Sequence, residues 1–369
     1  MVRQTRRSFN IVGDETVMTD LLNKRNFLKR AGLATAGAVG ATTLAMPHVR
    51  AQAPIRWRLQ TYAGPALAEH VVGNAVEWFN TAANGEMEIE LYTADQLVPH
   101  GELFRAVQTG TIDAAQSDDD SAAAPVDIKV FGAYFPLASR YSLDVPALWH
   151  WRGLKEIWEE AYAEIPDVTW LSTGAWDPCN FGTTKPVRSL ADLNGLRVYT
   201  FPTAGQFLAK YGVVPVSLPY EDVEPALQTG ELDGICWCGT TELHTVGWAN
   251  ALKYYLTNPL SGAWAGSYFV NTARWNELPP HLQQLYRLMI DSSHYYRQHW
   301  YWAGEANYRI NGNLELTTIP AAEWASVEAD ARTFWEQIAS QSERSGRVVK
   351  IINQYNADME KAGAPYRYT

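Results

Sequence analysis

Asp118-Asp119-Asp120 and Cys236-Trp237-Cys238 close two stretches of this chain that are built alike, and both carry groups able to bind a ligand. Trp176-Asp177 ends a third stretch, and Tyr199 with Phe201 ends a fourth. Carboxylates beside aromatic faces suit a small ammonium-bearing molecule. Each ring face attracts a cation by about 0.5–2 kcal/mol, and a carboxylate adds charge-assisted hydrogen bonds. The same rings would also stack on an aromatic or polyol ligand. Against this, the chain holds 15 Trp and 19 Tyr, so a single ring taken at random is more often core than site. A run of three Asp is also a common solvated face. Cys236 and Cys238, with Cys179 and a histidine, are a conceivable zinc set. A second Cys pair and finger-type His spacing are absent from the sequence, which favours structural or ligand-facing thiols. No Gly-rich phosphate loop, H-E-x-x-H or G-x-S-x-G element occurs, so an enzymatic reading has no motif to rest on and no cofactor is expected.

The elements that must position these groups follow from pattern. Ala106-Val107-Gln108-Thr109-Gly110-Thr111-Ile112-Asp113-Ala114 reappears as Ala226-Leu227-Gln228-Thr229-Gly230-Glu231-Leu232-Asp233-Gly234. Each copy reads as the last turn of a helix, a Gly in the left-handed position, and a strand that starts at once. Ligands of open α/β sheets gather beyond the carboxyl ends of strands. Two such ends in two related halves predict a cleft between lobes. Ile55–Tyr62 alternates with period two, Leu67, Val71, Val72, Ala75 and Phe79 recur at helical spacing, and Glu88–Tyr92 is again a strand. That unit implies a parallel pair. Residues 145–163 read as one Trp-rich helix, 168–172 as a strand, and 196–201 as a strand with Thr203 capping the next helix. Beyond residue 260 a returning strand at 267–271 precedes a long aromatic-rich helix from Pro279 to about Gly312 and further helices over 321–362. The fold class is therefore α/β, two-lobed, with an interlobe cleft and a long C-terminal helix.

Residues 1–53 read as an export signal. Lys24-Arg25-Asn26-Phe27-Leu28-Lys29-Arg30 is a basic n-region, 31–45 is apolar and rich in small residues, and Ala51-Gln52-Ala53 fits a cleavage site. The apolar run is too short to span a bilayer. Of 30 basic and 40 acidic residues, the signal holds eight and three, leaving 22 against 37. A mature chain near −15 disfavours nucleic acid and anionic membrane as partners, and no later segment predicts membrane insertion. A periplasmic location is expected. Three cysteines, an odd number, do not make a disulfide framework.

Ser189-Leu190-Ala191-Asp192-Leu193-Asn194-Gly195-Leu196-Arg197-Val198, Tyr211–Val216, Glu224–Gly234, Gln96-Leu97-Val98-Pro99 and Val107–Ala114 together resemble the solute-binding subunits of tripartite ATP-independent periplasmic (TRAP) transporters, over residues 55 to about 339. The resemblance implies two α/β lobes that close on a small organic molecule and then dock on a membrane permease. It further implies an arginine on the strand after Gly-Leu that grips a ligand carboxylate, and in the 2-oxoacid-binding branch a Gln and a Glu that help hold a cation. Tyr199, Trp176 and Cys236 stand at the matching positions, while Trp237 matches. A buried carboxylate without a cationic partner costs several kcal/mol. The expected ligand is accordingly amine-bearing, aromatic or neutral and polar. Arg197, one pleat before Tyr199, is the alternative acid-gripping group. An exported enzyme is the lesser alternative. Candidate ligand-binding residues are Trp176, Asp177, Tyr199, Phe201, Trp237, Cys236, Asp118, Asp119 and Arg197. The expected lobes are residues 54–172 with about 258–290, and 173–257 with parts of 291–369.

Overall fold

A computed structural model describes residues 53–175 and 177–367. Apart from Ala53, the expected export signal lies outside the described residues, as does Trp176. The strands are β1 Ile55–Thr61, β2 Met87–Tyr92, β3 Ala114–Ser117, β4 Val168–Ala175, β5 Asn180–Thr183 and β6 Arg197–Thr200. They continue with β7 Val214–Val216, β8 Gly234–Cys238, β9 Tyr254–Leu256, β10 Ala265–Asn271 and β11 Glu315–Thr317. One sheet has the order β2-β1-β3-β10-β4, the other β11-β9-β5-β8-β6-β7.

Each sheet is a parallel unit with one antiparallel strand threaded into it. β1 pairs in parallel with β2 and β3, and β6 with β7 and β8. β10 runs antiparallel between β3 and β4, and β5 runs antiparallel between β8 and β9. The chain therefore passes from one sheet to the other at β4–β5 and returns at β9–β10. Short crossings of this kind leave the carboxyl ends of β1, β3, β6 and β8 around the same seam.

Local sequence explains the elements. Arg56 and Arg58 face water from β1 while Trp57 and Leu59 are buried, the alternation of a half-covered strand. The expected helix before β2 forms over Pro65–Ala68 and Asn74–Ala82 with one π turn, Glu69–Gly73, between them, and it buries Leu67, Val71, Val72, Ala75 and Phe79. The Trp-rich segment is two helices, Asp144–Trp151 and Leu154–Ala163, where the sequence suggested one. Gly153 at φ 91° breaks the run, a conformation that a side chain would resist. Phe201 rather than Thr203 stands before the helix Pro202–Leu208, which opens with Pro at its first position. The long helix Pro280–Asn311 has 32 residues, about 48 Å at 1.5 Å per residue. It touches both halves: the Ser293 hydroxyl donates to the Val71 carbonyl at 3.1 Å, and the Tyr301 hydroxyl donates to Glu242 at 3.1 Å.

Candidate functional site

The repeated passage proves to be a repeated piece of structure. Gly110 and Gly230 both take left-handed conformations, at φ 72° and 76°. The Ile112 amide donates to the Ala106 carbonyl at 3.2 Å and the Leu232 amide to Ala226 at 3.0 Å. Asp113 then accepts the Arg58 backbone N–H at 2.7 Å, and Asp233 accepts that of Arg197 at 3.1 Å. Each aspartate thus fastens the start of its own strand to the neighbouring parallel strand.

This geometry corrects the expectation for Arg197. Its Nε donates to Asp233 Oδ2 at 2.8 Å and its Nη2 to the Gly230 carbonyl at 2.6 Å. The side chain is held at the amino end of β6, away from the seam. The Arg197 guanidinium in turn holds the Asp233 carboxyl down at about 2.

At the carboxyl ends the picture is aromatic. A crevice of about 630 Å³ is lined from the first half by Tyr62 and His100 and from the second by Tyr199, Phe201, Tyr220 and Trp237. The Trp237 indole stacks on Phe201 at a centroid distance of 3.8 Å and on Tyr199 at 4.6 Å. Such pairs contribute about 0.5–1.5 kcal/mol each beyond burial, so the wall is rigid before any ligand arrives. His100 Nε2 lies 2.7 Å from the Ser117 hydroxyl, and burial pushes its pKa down to about 4. It is neutral at working pH and adds no cation.

Behind the aromatic wall lies an acidic floor. Asp177, in the crossing between β4 and β5, accepts the Tyr134 hydroxyl at 2.6 Å and the Gly239 amide at 2.8 Å. Glu242, in the helix Thr240–Thr245 that follows β8, accepts from Tyr301 through Oε2, while its buried Oε1 has no hydrogen-bond partner. Donor atoms of Asp177, Cys238 and Glu242 all lie within 4.8 Å of one another. Burial raises all three groups: Asp177 to about 7, and Glu242 and the Cys238 thiol well above their ordinary ranges. Arg297, fully buried on the long helix, is close enough for Asp177 to act on it, and burial lowers its pKa to about 10.

Of the residues singled out from sequence, the crevice gathers Tyr199, Phe201 and Trp237, while Asp177 is buried and stands off its lining. Asp118 accepts the Ser121 amide at 2.6 Å and so shapes the turn that carries a lining residue. Two expectations need correction. Asp119 accepts Trp158 Nε1 at 2.8 Å and the Tyr162 hydroxyl at 2.7 Å, a buried duty inside the first half. Cys236, inside β8, sits 3.3 Å from Cys179, sulfur to sulfur, and is not on the crevice lining. Trp176 lies outside the described residues. Sequence reasoning missed Glu242, Tyr62, Tyr134, Tyr301 and Arg297. Thr240-Thr241-Glu242 reads as an ordinary helix start with an acid in its first turn, and the others read as strand, loop and helix core.

Two α/β halves joined by crossing strands, backed by one long helix and sharing one crevice, define a two-lobed solute-binding protein. Residues 68–342 match the family described as bacterial extracellular solute-binding protein, family 7, and the chain belongs to that family. It is a TRAP transporter solute-binding protein. It is similar to a TRAP periplasmic solute-binding protein of Chromohalobacter salexigens solved with bound (S)-(+)-2-amino-1-propanol. The two are 62% identical with a TM-score of 0.84, over 85% of this chain and 99% of that one. A Bordetella bronchiseptica TRAP solute-binding protein, solved with calcium and picolinate, is 21% identical with a TM-score of 0.75, over 84% and 94% of the two chains. A monocarboxylate 2-oxoacid-binding periplasmic protein of Nostoc is 24% identical over 274 residues, 72% of this chain and 74% of its own length.

Proposed function

We propose that this protein captures a small amine-bearing polar molecule in the periplasm and presents it to the membrane permease of its TRAP transporter. The observation that carries this reading is the inverted chemistry of the site. Tyr199 stands at the position where the resemblance implies a guanidinium, it stacks with Trp237 and Phe201 near the buried Asp177, and Arg197 is committed to Asp233. The amino alcohol held by the 62% identical Chromohalobacter protein supports the same class of ligand.

Capture follows from the two-lobed build. The segments between β4 and β5 and between β9 and β10 act as hinges, with residues 54–172 and about 258–290 on one side. Only ligand contacts made differently in open and closed forms shift that balance. Asp177, sitting in one hinge segment while touching groups of both halves, is suited to that task. Residues 1–53 serve export. A thermal-shift panel tests the ligand class: small amines and amino alcohols are expected to raise Tm, and pyruvate or dicarboxylates to leave it unchanged. Strong stabilisation by the acids with none by the amines would overturn the reading.

A further inference from the structure

Resting on that reading, we infer that Glu242, Asp177 and Cys238 form a three-point socket for an ammonium group that still carries N–H donors, with Glu242 as its principal counter-ion. The three donor atoms lie within 4.8 Å of one another. Atoms that close can all be reached from one central point, at N–H···O hydrogen-bond length for the two carboxylate oxygens and a longer N–H···S contact for the thiol. An –NH3⁺ has three donors to offer such a triangle. A quaternary ammonium has none, and its methyl groups would occupy the space the acceptors need.

Two further observations aim Glu242 at the ligand. Its Oε1 is buried without a hydrogen-bond partner, a costly state for a carboxylate oxygen that an incoming donor relieves. Its charge is also the strongest acting on the hydroxyls of Tyr62, Tyr199 and Tyr220, all three of which line the crevice. The carboxylate is therefore buried within electrostatic reach of the crevice, off its lining.

The local charge count agrees. Glu305 is met by Arg309 at 3.9 Å and by the Thr241 amide and hydroxyl. Among the described residues, Arg297 is the guanidinium that Asp177 acts on, so ionising both Asp177 and Glu242 leaves negative charge in excess. A monocation completes the set. Burial pushes both carboxyls upward, so protons hold the place that the ammonium takes. Asp177 already accepts from Tyr134 and Gly239, which fixes its orientation.

Calorimetric titration of the mature protein with 2-amino-1-propanol, choline and zinc, repeated on Glu242→Gln and Asp177→Asn, tests the socket. Glu242→Gln keeps the shape and removes a buried charge, so its Tm without ligand is expected to equal or exceed that of the parent. Its affinity for the amino alcohol is expected to fall about 100-fold, and choline to bind at least about 100-fold more weakly than the amino alcohol to the parent. Amine affinity within threefold of the parent in Glu242→Gln, or choline binding as tightly as the amino alcohol, would overturn the socket while leaving the amine reading intact. Amine binding that requires zinc and is abolished by a chelator would overturn it in favour of a metal. A parent that binds no amine at all would instead sink the proposed function.

Discussion

Asp177 and Glu242 sit in a pocket where neither can be read without its neighbours. Tyr134, Tyr62 and Tyr301 face them as neutral hydroxyls, Cys238 as a thiol, Glu305 as a paired acid and Arg297 as a buried cation. With the folded-state pKa of Asp177 near 7 against an ordinary 3.8, the folded chain binds more protons than the unfolded one between those values. Ligand-free stability from this group therefore falls as pH rises from about 4 to 7 and stays lost above. A bound ammonium reverses the penalty on the ionised form. The rise in Tm caused by 2-amino-1-propanol is expected to grow from pH 5 to pH 8, with affinity gaining up to about tenfold per pH unit for each proton released. A scanning-calorimetry series at fixed ionic strength checks this, and a gain that shrinks with pH contradicts it. Trp237→Ala removes both stacked contacts of the wall and any cation–π contact. It is expected to weaken amine binding about tenfold in calorimetry, and an unchanged affinity would place the ligand elsewhere.

The duplicated helix–Gly–strand element shows how one short pattern serves two sheets. In both copies the aspartate reaches back to an amide of the neighbouring strand, and in both it gains a guanidinium: Arg274 on Asp113 at 2.9 Å and Arg197 on Asp233 at 2.8 Å. Asp233→Ala is expected to cost about 1–3 kcal/mol of stability by orphaning the Arg197 amide, and to leave amine affinity unaltered. Chemical denaturation and titration of the same variant separate the two effects. The depressed pKa of Asp233 gives a second sign: its contribution is complete above about pH 4 and is lost as pH falls through about 2. The long helix is the other decisive element. Its Tyr301 fixes Glu242 and its Ser293 fixes the turn at Val71, so it ties floor and first lobe into one frame.

Closure belongs to the whole molecule. Asp120, in the loop after β3, accepts the Thr203 amide at 3.0 Å from the helix after β6, so it joins the two halves across the seam. A bond of this kind exists only while the halves meet. Asp120→Ala is expected to shift the ligand-free population toward the open form and to weaken amine binding about tenfold, mostly through faster release. Stopped-flow dissociation and small-angle scattering on the parent and the variant would reveal it. An unchanged release rate would remove Asp120 from the closing mechanism.

The order of strands and helices, the parallel units and the two strand tips were legible in the sequence, because alternation, helical spacing and glycine stops are local properties. Tyr199, Phe201 and Trp237 could be placed beside the crevice on that basis. The short strands β5, β9 and β11 could not, since three or four residues carry too little period to register and owe their pairing to neighbours far along the chain. Nor could the direction of Arg197, which period two puts on the face of Tyr199 but which a carboxylate 36 residues away turns to the opposite end of the strand. The acidic floor was least visible of all. Asp177, Cys238 and Glu242 come from a crossing, a strand end and a helix start, and a charge becomes costly, and so useful, only once the tertiary structure has taken the water away from it. Sequence by itself determined the scaffold and its aromatic rim; folding decided which charges meet beneath it.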